Sequence, residues 1–409
     1  MKRANSLFHH PRQKIVMPGM KDSQKNRGSE LLRQIHPLII AFLFTGLDFR
    51  PKKDEKNLHE YNPSIAYRER VIKIYCVLTY FTSWVFSLMI IYGICKNEEN
   101  LPVKEYIGYL FVELSLIFFR GVLHLRRKNI AHTLEHLSDA YDEIKYKSKS
   151  LKKGVITAFL IGYPGMYMLM YGLLHLSFIA KGPSYYKKFM RRRYNYVISL
   201  TLPDYVYYLL GIIDFFLNEL NFASVYQFII LFITMSIALS LILEDYCKSI
   251  NASGATFNAM QKHHISAMNT VQVVDKCVSY PLFVLLGTHI WLLFFLLSFF
   301  YWQSKLEHSL SALDIYFYLL FILYVFQYFT VTVFAAKVHE AVQNIKMEVS
   351  KMNSSLSQLT AVEQILLMVK INHHSDICLT VWGSINITRN FVFSSFGALL
   401  TFGALYLSI

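Results

Sequence analysis

Apolar residues in this chain come in long unbroken runs, not in the alternation of a water-soluble fold, and polar residues collect in the segments between them. Runs at 71–94, 106–123, 155–180, 281–302, 312–336 and 391–409 are each long enough to cross a bilayer as a helix, which takes about 20 residues. A further stretch, 197–243, is roughly twice that length. It is either one tilted helix projecting beyond the bilayer or a hairpin turning at Asn218-Glu219-Leu220-Asn221, giving seven spans or eight. The run 37–45 (PLIIAFLFT) is too short to span; broken by Gly46 and stopped by Pro51, it reads as a re-entrant or interfacial segment. The pattern predicts an all-α polytopic membrane protein.

Composition agrees. At 54% hydrophobic and 17% charged, 409 residues hold too little polar surface to coat a soluble globule, and disordered and collagen-like chains are excluded. Five cysteines without paired spacing indicate neither a disulfide scaffold nor a zinc ribbon. The net charge of +14 would suggest nucleic acid in a soluble protein, but here the Lys and Arg lie between apolar runs, as in cytoplasmic loops of membrane proteins, so no nucleic-acid partner is expected.

Charge also orients the chain. The first sixty residues are basic and lack a signal-like apolar core, which keeps the amino terminus in the cytosol. Loop 124–154 carries eight Lys/Arg and fits the inside, while 95–105 and 303–311 are short, carry few and fit the outside. Loop 181–196 disagrees, with six Lys/Arg in a segment counted as external. Seven spans then place the carboxyl terminus outside, the reverse of a G-protein-coupled receptor, and the motifs of that superfamily are missing. The sequons at Asn251, Asn353 and Asn386 fall on the cytosolic side or at the membrane entry and are expected to stay unmodified.

The carboxyl-terminal segment carries a resemblance. Gly383-Ser384-Ile385-Asn386-Ile387-Thr388-Arg389, then an apolar run, then Thr401-Phe402, five residues and Ser408-Ile409 resembles the signature of invertebrate gustatory receptors, in which the last helix ends in Thr-Tyr, five apolar residues and Gln-Phe. Thr401 and the spacing are kept; Phe402 stands for Tyr and Ser408 for Gln. The resemblance implies the seven-helix ligand-gated channel superfamily shared with insect odorant receptors. Its implied features are inverted topology, a tetramer of identical or related subunits in the plasma membrane of chemosensory neurons, a pore lined by the seventh helices, and a ligand pocket in the outer half of helices two to six. On that division 1–70 is a cytoplasmic region with the re-entrant segment near 37–46, and 71–243 holds helices one to four. Residues 244–280 and 337–388 are cytoplasmic anchor segments, the second containing a helix over 338–380. Residues 281–336 hold helices five and six, and 389–409 is the pore-lining helix.

The residues add their own reading. Ser394, Gly397, Thr401 and Ser408 recur near one face of the last helix, where small and hydroxylated side chains suit either a pore or close helix packing. Ser408 offers a hydroxyl where the family has an amide, so permeation is expected to differ from relatives. Tyr163, Tyr167, Tyr171 and His175 repeat every four residues along the third span, and a polar stripe in a membrane must face protein or water. Glu113, with Tyr109 one turn earlier, is an ionisable group in the second span and functional by default. Arg120 and His124, nearer the cytoplasmic end, are explained by snorkelling. Asp204, Tyr208, His289, Trp291, Asp314, Tyr318 and Gln327 complete the ligand candidates; the set suits a sugar or a bitter alkaloid equally.

Other chemistries fit less well. His132-Thr133-Leu134-Glu135-His136 has the spacing of inverted zinc proteases but sits in a Lys-rich helix and reads as a solvated face. No nucleotide loop, nucleophile elbow or dinucleotide fingerprint is present, so no enzyme and no cofactor is expected. A secondary transporter of a small polar solute is the alternative, with Glu113 and His175 as relay, although no internal repeat supports it. The expected partners are a small-molecule tastant, membrane lipid and fellow subunits.

Overall fold

The computed structural model describes residues 30–51, 63–96, 103–144, 153–194, 203–250, 257–304, 312–351, 360–373 and 377–408. Among them lie α1 (Glu30–Phe44), α2 (Pro63–Lys96), α3 (Val103–Ile144), α4 (Lys153–Ala180), α5 (Pro183–Tyr194), α6 (Asp204–Ile250), α7 (Phe257–Ser304), α8 (Ala312–Lys351), α9 (Ala361–His373) and α10 (Arg389–Ser408). The all-α expectation holds except for one hairpin before α10, with β1 (Thr380–Val381) antiparallel to β2 (Ile385–Asn386) and Thr380 opposite Asn386.

Five stretches in the described residues are long and apolar enough to cross a membrane: Tyr67–Gly93, Ile156–Ala180, Asp204–Ile250, Phe257–Phe300 and Asp314–Lys351. The last predicted span and the second are outside that set. The second carries Glu113 and Arg120, which the protein itself buries.

Stretch 197–243 resolves in favour of one helix. α6 runs unbroken through the polar tetrad because its polar side chains find partners across the helix packing or further along the helix itself. Asn218 donates to the Tyr167 hydroxyl at 2.9 Å, Glu219 accepts from Tyr226, and Asn221 donates to Ser87 at 2.8 Å. A helix whose polar side chains are hydrogen-bonded within the protein has no cause to turn there. Residues 223–236 are buried on all sides, so α6 is the central post, packed by α8, α3, α4, α7 and α1.

α1 starts seven residues before the predicted apolar run and is an amphipathic helix, with Leu31, Ile35, Leu38, Ile39 and Phe42 buried on one stripe. Its end is a Schellman motif. Gly46 adopts φ +79°, the Gly46 amide bonds Leu43 O at 3.0 Å and the Leu47 amide bonds Phe42 O at 2.9 Å. Only glycine fits here, since a Cβ would stand 2.9 Å from Cys76 O and 3.1 Å from Thr79 Cβ. The turn drops Phe49 onto Phe42, with ring centroids 4.4 Å apart.

Three further expectations are corrected. Segment 181–196 is not a loop throughout, since α5 occupies most of it, burying Tyr186 and Met190. Two of its cations are engaged locally: Lys187 pairs with Asp204 at 3.1 Å, and Arg191 donates to the Tyr207 hydroxyl at 3.1 Å. Residues 338–380 are not one helix. α9 starts afresh from a capping box at Thr360, whose hydroxyl accepts from the Glu363 amide at 3.3 Å while Glu363 accepts from the Thr360 amide at 2.9 Å. Arg120 does not snorkel. It is buried beneath Tyr80, donating to Ser83 Oγ at 2.6 Å, to Thr45 O and to Leu220 O at 3.4 Å. Thr45 O lies at the carboxyl end of α1, where free carbonyls and the helix dipole favour a cation.

α7 is continuous through Pro281. Pro281 has no amide hydrogen for Cys277 O, and the Arg126 guanidinium approaches that carbonyl at 3.4 Å and Lys276 O at 2.9 Å. Ser279 O, on the same opened turn, accepts from the Trp382 amide at 3.2 Å.

Candidate functional site

Two regions carry the chemistry. The first is the α4–α6 contact, where the four-residue stripe of α4 is buried as its periodicity requires: Tyr163, Tyr167, Tyr171 and His175 all point into the protein. Tyr171 donates to Asp214 Oδ2 at 2.5 Å, and His175 Nε2 lies 3.5 Å from the same oxygen. On its other side His175 Nδ1 meets the Tyr186 hydroxyl at 3.2 Å, brought in by α5. That hydroxyl occupies the place where a side chain at Gly211 would begin, so Gly211 is what lets α5 close on α6. Tyr208 stacks on Tyr186 at 5.2 Å, and the Tyr316 ring lies 6.4 Å from Tyr171. The result is a carboxylate, an imidazole, an amide and several phenols enclosed by aromatic rings, groups that can make directed hydrogen bonds and ring stacking.

Next to this cluster, Ser115, Phe222, Thr288, His289 and Tyr324 line a cavity of about 20 Å³, room for one water. His289 Nδ1 donates to Leu285 O at 2.8 Å, and Nε2 contacts the Gln327 amide at 2.9 Å, so these two candidates meet each other. Glu113 is buried.

The remaining candidates separate. Asp314 is buried, whereas Tyr318 is exposed and stacked on Phe300 at 4.2 Å. Trp291 is exposed against Phe111 at 4.5 Å, and Asp204 is exposed beside Lys187. The side chains of Tyr109 and Ser408 lie outside the described residues, as do Asn251 and Asn353. Sequence reading missed Asp214, Tyr186, Asn218 and Tyr316. For Asp214 the signal was there, an acid inside a long apolar run.

The second region is the hairpin and α10. Residues Gly383–Arg389 of the motif form the turn, β2 and the start of α10. Trp382 at φ 55° and Gly383 at φ 68° supply the two left-handed positions of the turn, and the Thr388 hydroxyl caps α10 by accepting from the Phe391 amide at 3.3 Å. Asp275 on α7 holds β1, accepting from the Thr380 amide at 2.6 Å and the Thr380 hydroxyl at 3.0 Å. Burial pushes the Asp275 carboxyl above its ordinary range, against the pull of these two bonds. Arg389 pairs with Glu340 of α8. α10 packs on α7 and α8 through Val392 and Leu399, and the Tyr328 hydroxyl donates to Ser395 at 2.7 Å. Ser394, Gly397 and Thr401 lie on the opposite, exposed side together with Phe393 and Leu400.

No family profile and no curated protein matches the sequence. Similarity is found in structure. The insect olfactory receptor OR5 from Machilis hrabei in complex with eugenol aligns with TM-score 0.69 at 14% identity, covering 92% of this chain and 98% of that one. A further structure of the same receptor gives 0.61 over the same shares. This chain therefore has the helical, multi-pass fold of an insect olfactory receptor.

Proposed function

We propose that this chain is a subunit of a gustatory-type chemoreceptor, a ligand-gated cation channel opened by a small-molecule tastant. The observation that carries the reading is the fold shared over 92% of the chain with an olfactory receptor whose structure holds eugenol, together with the family-like motif that ends in α10. In this reading α2, α3, α4, α6, α7, α8 and α10 are seven spans, the amino terminus is cytosolic and the carboxyl terminus external. Four subunits meet in the plasma membrane of a chemosensory neuron. The exposed side of α10 carrying Ser394, Gly397 and Thr401, with Ser408 at its tip, lines the conduit, since it is the side α7 and α8 leave uncovered.

The ligand, a sugar or a bitter compound, enters among Glu113, Tyr109, Tyr167, Tyr171, His175, Tyr208, Asp314 and their neighbours; Trp291 and Tyr318 sit further out and serve the approach. A cavity of about 20 Å³ is far below the roughly 300 Å³ of a small-molecule site, so entry requires the aromatic walls to move. That coupling makes binding a conformational bias: the ligand shifts the equilibrium by its difference in affinity between closed and open arrangements. α7, which lines the cavity with Thr288 and His289 and grips the hairpin with Asp275, connects the two regions.

Whole-cell recording from cells expressing only this chain, against sugars and bitter compounds, tests the proposal. Ligand-evoked, voltage-independent cation current is expected. Saturable solute uptake without current would select the transporter instead, and an epitope after Ile409 reached by antibody only in permeabilised cells would reverse the topology.

A further inference from the structure

A cavity of about 430 Å³ opens where the loop after α1 meets the first half of α2 and the second half of α3, its charged lining being Asp48, Arg50, Lys73, His124, Arg127, Lys128 and Glu135. Its depth is fixed by the sequence. Lys73 lies just inside the start of the apolar run of α2, and His124 follows the last apolar residue of the run in α3, so the cavity stands at the boundary between hydrocarbon and water. Charge is unevenly spread over its walls. On the loop wall Arg50 is held between Asp48 at 2.9 Å and Glu69 at 2.8 Å, a group with one surplus negative charge. On the helical wall Lys73, Arg127 and Lys128 have no carboxylate at ion-pair distance among the described residues. Lys73 and Lys128 are exposed, and Arg127 has turned to His124 Nε2 and His124 O instead. His124 Nδ1 is buried without a hydrogen-bond partner. Cations stacked on one wall repel one another unless an anion sits between them, and a guanidinium donating to an imidazole marks a donor lacking a better acceptor.

We infer that this cavity binds a phosphorylated polyol of the inositol phosphate class at the membrane surface. Its phosphates face Lys73, Arg127 and Lys128, and its free hydroxyls donate to Asp48 on the loop wall and to Glu135 further along α3. A carboxylate accepts from a hydroxyl and repels a phosphate, so the mixed lining fits a polyol phosphate better than a bare phosphate or a simple diester headgroup. The site is independent of the tastant region, and its occupant adds an anchor between α1, α2 and α3. In the proposed topology it faces the inner leaflet, where anionic lipids concentrate.

The full chain in phosphatidylcholine nanodiscs, symmetric in both leaflets, tests the site whatever the orientation. A fluorescent phosphatidylinositol bisphosphate is titrated by anisotropy and competed with soluble inositol trisphosphate. Affinity is expected to fall roughly fivefold for Lys73→Gln and again for Lys128→Gln, as for one surface cation each. Glu135→Gln, which weakens an acceptor for the polyol hydroxyls, should lower affinity for the inositol phosphate while leaving competition by inorganic phosphate unchanged, a discrimination that misfolding cannot produce, and Lys188→Gln on α5 should change nothing. Displacement by the soluble phosphate identifies a free ligand, and resistance to it a lipid-borne one; both support the polyol phosphate chemistry. Equal affinity across all four variants, or an equal loss in Lys188→Gln, overturns it.

Discussion

The bond between Asp275 and Thr380 fastens the hairpin that leads into α10, and its strength can be worked out from its geometry. Asp275 accepts from the Thr380 amide at 2.6 Å and from the hydroxyl at 3.0 Å. Hydrogen bonds to a charged group contribute about 1.5–3 kcal/mol each, so Asp275→Ala, which removes both and leaves a half-buried amide unpaired, should cost about 3–4 kcal/mol. Relief of the desolvated carboxylate offsets part of that. Thr380→Val removes only the hydroxyl and should cost about 1–2 kcal/mol in the wild-type background. In the Asp275→Ala background the hydroxyl has already lost its partner, so Thr380→Val should be silent there. The assay is thermal unfolding of detergent-purified protein followed by size exclusion. An equal loss from Thr380→Val in both backgrounds would refute the bond. The pH dependence has a definite sign. Because burial raises the native pKa of Asp275, its contribution is complete below the ordinary carboxylate range and declines as pH rises through the elevated native value. Asp275→Asn should abolish that decline while keeping one acceptor for the Thr380 amide.

Three other outcomes follow from the geometry. Gly46→Ala must place a side chain in a left-handed position and against Cys76 O; about 2–4 kcal/mol of destabilisation is expected, read as lost folded yield in fluorescence-detected size exclusion. Arg120→Met keeps the bulk but orphans Thr45 O and takes a donor from Ser83 Oγ, which still donates to Asn221, and should lower thermal stability by about 2–4 kcal/mol; an unchanged melting point would mean water satisfies the Thr45 carbonyl. Tyr171→Phe frees Asp214 from its shortest partner and should shift the half-maximal ligand concentration about tenfold in current recordings while leaving surface expression intact.

Much of this was legible in the chain itself. The apolar runs locate α2, α4, α7, α8 and α10, and the Tyr167–Tyr171–His175 stripe is buried because residues four apart share one helical face. The partners were not legible. Asn218, Glu219 and Asn221 look alike as a turn or as helix, and only Tyr167, Tyr226 and Ser87 on other turns or helices decide between the two. Arg120 looks like a snorkelling cation until α1 brings Thr45 O beside it from 75 residues away. The hairpin escaped because strands of two residues show no alternation, and its register is set by Asp275 far upstream.

α6 carries a mechanical consequence. At 47 residues it is about 70 Å long, more than twice the roughly 30 Å of hydrocarbon, and past Gly211 it has neither proline nor glycine at which to bend. From Asp214 to Tyr246 the rod extends about 48 Å, so a tilt of about 5° at one end becomes a sideways swing of about 4 Å at the other. Such a beam turns a slight rearrangement of phenol rings into a displacement of several ångströms at its far end, with leverage set by stiffness and length rather than by any chain of loosely coupled contacts.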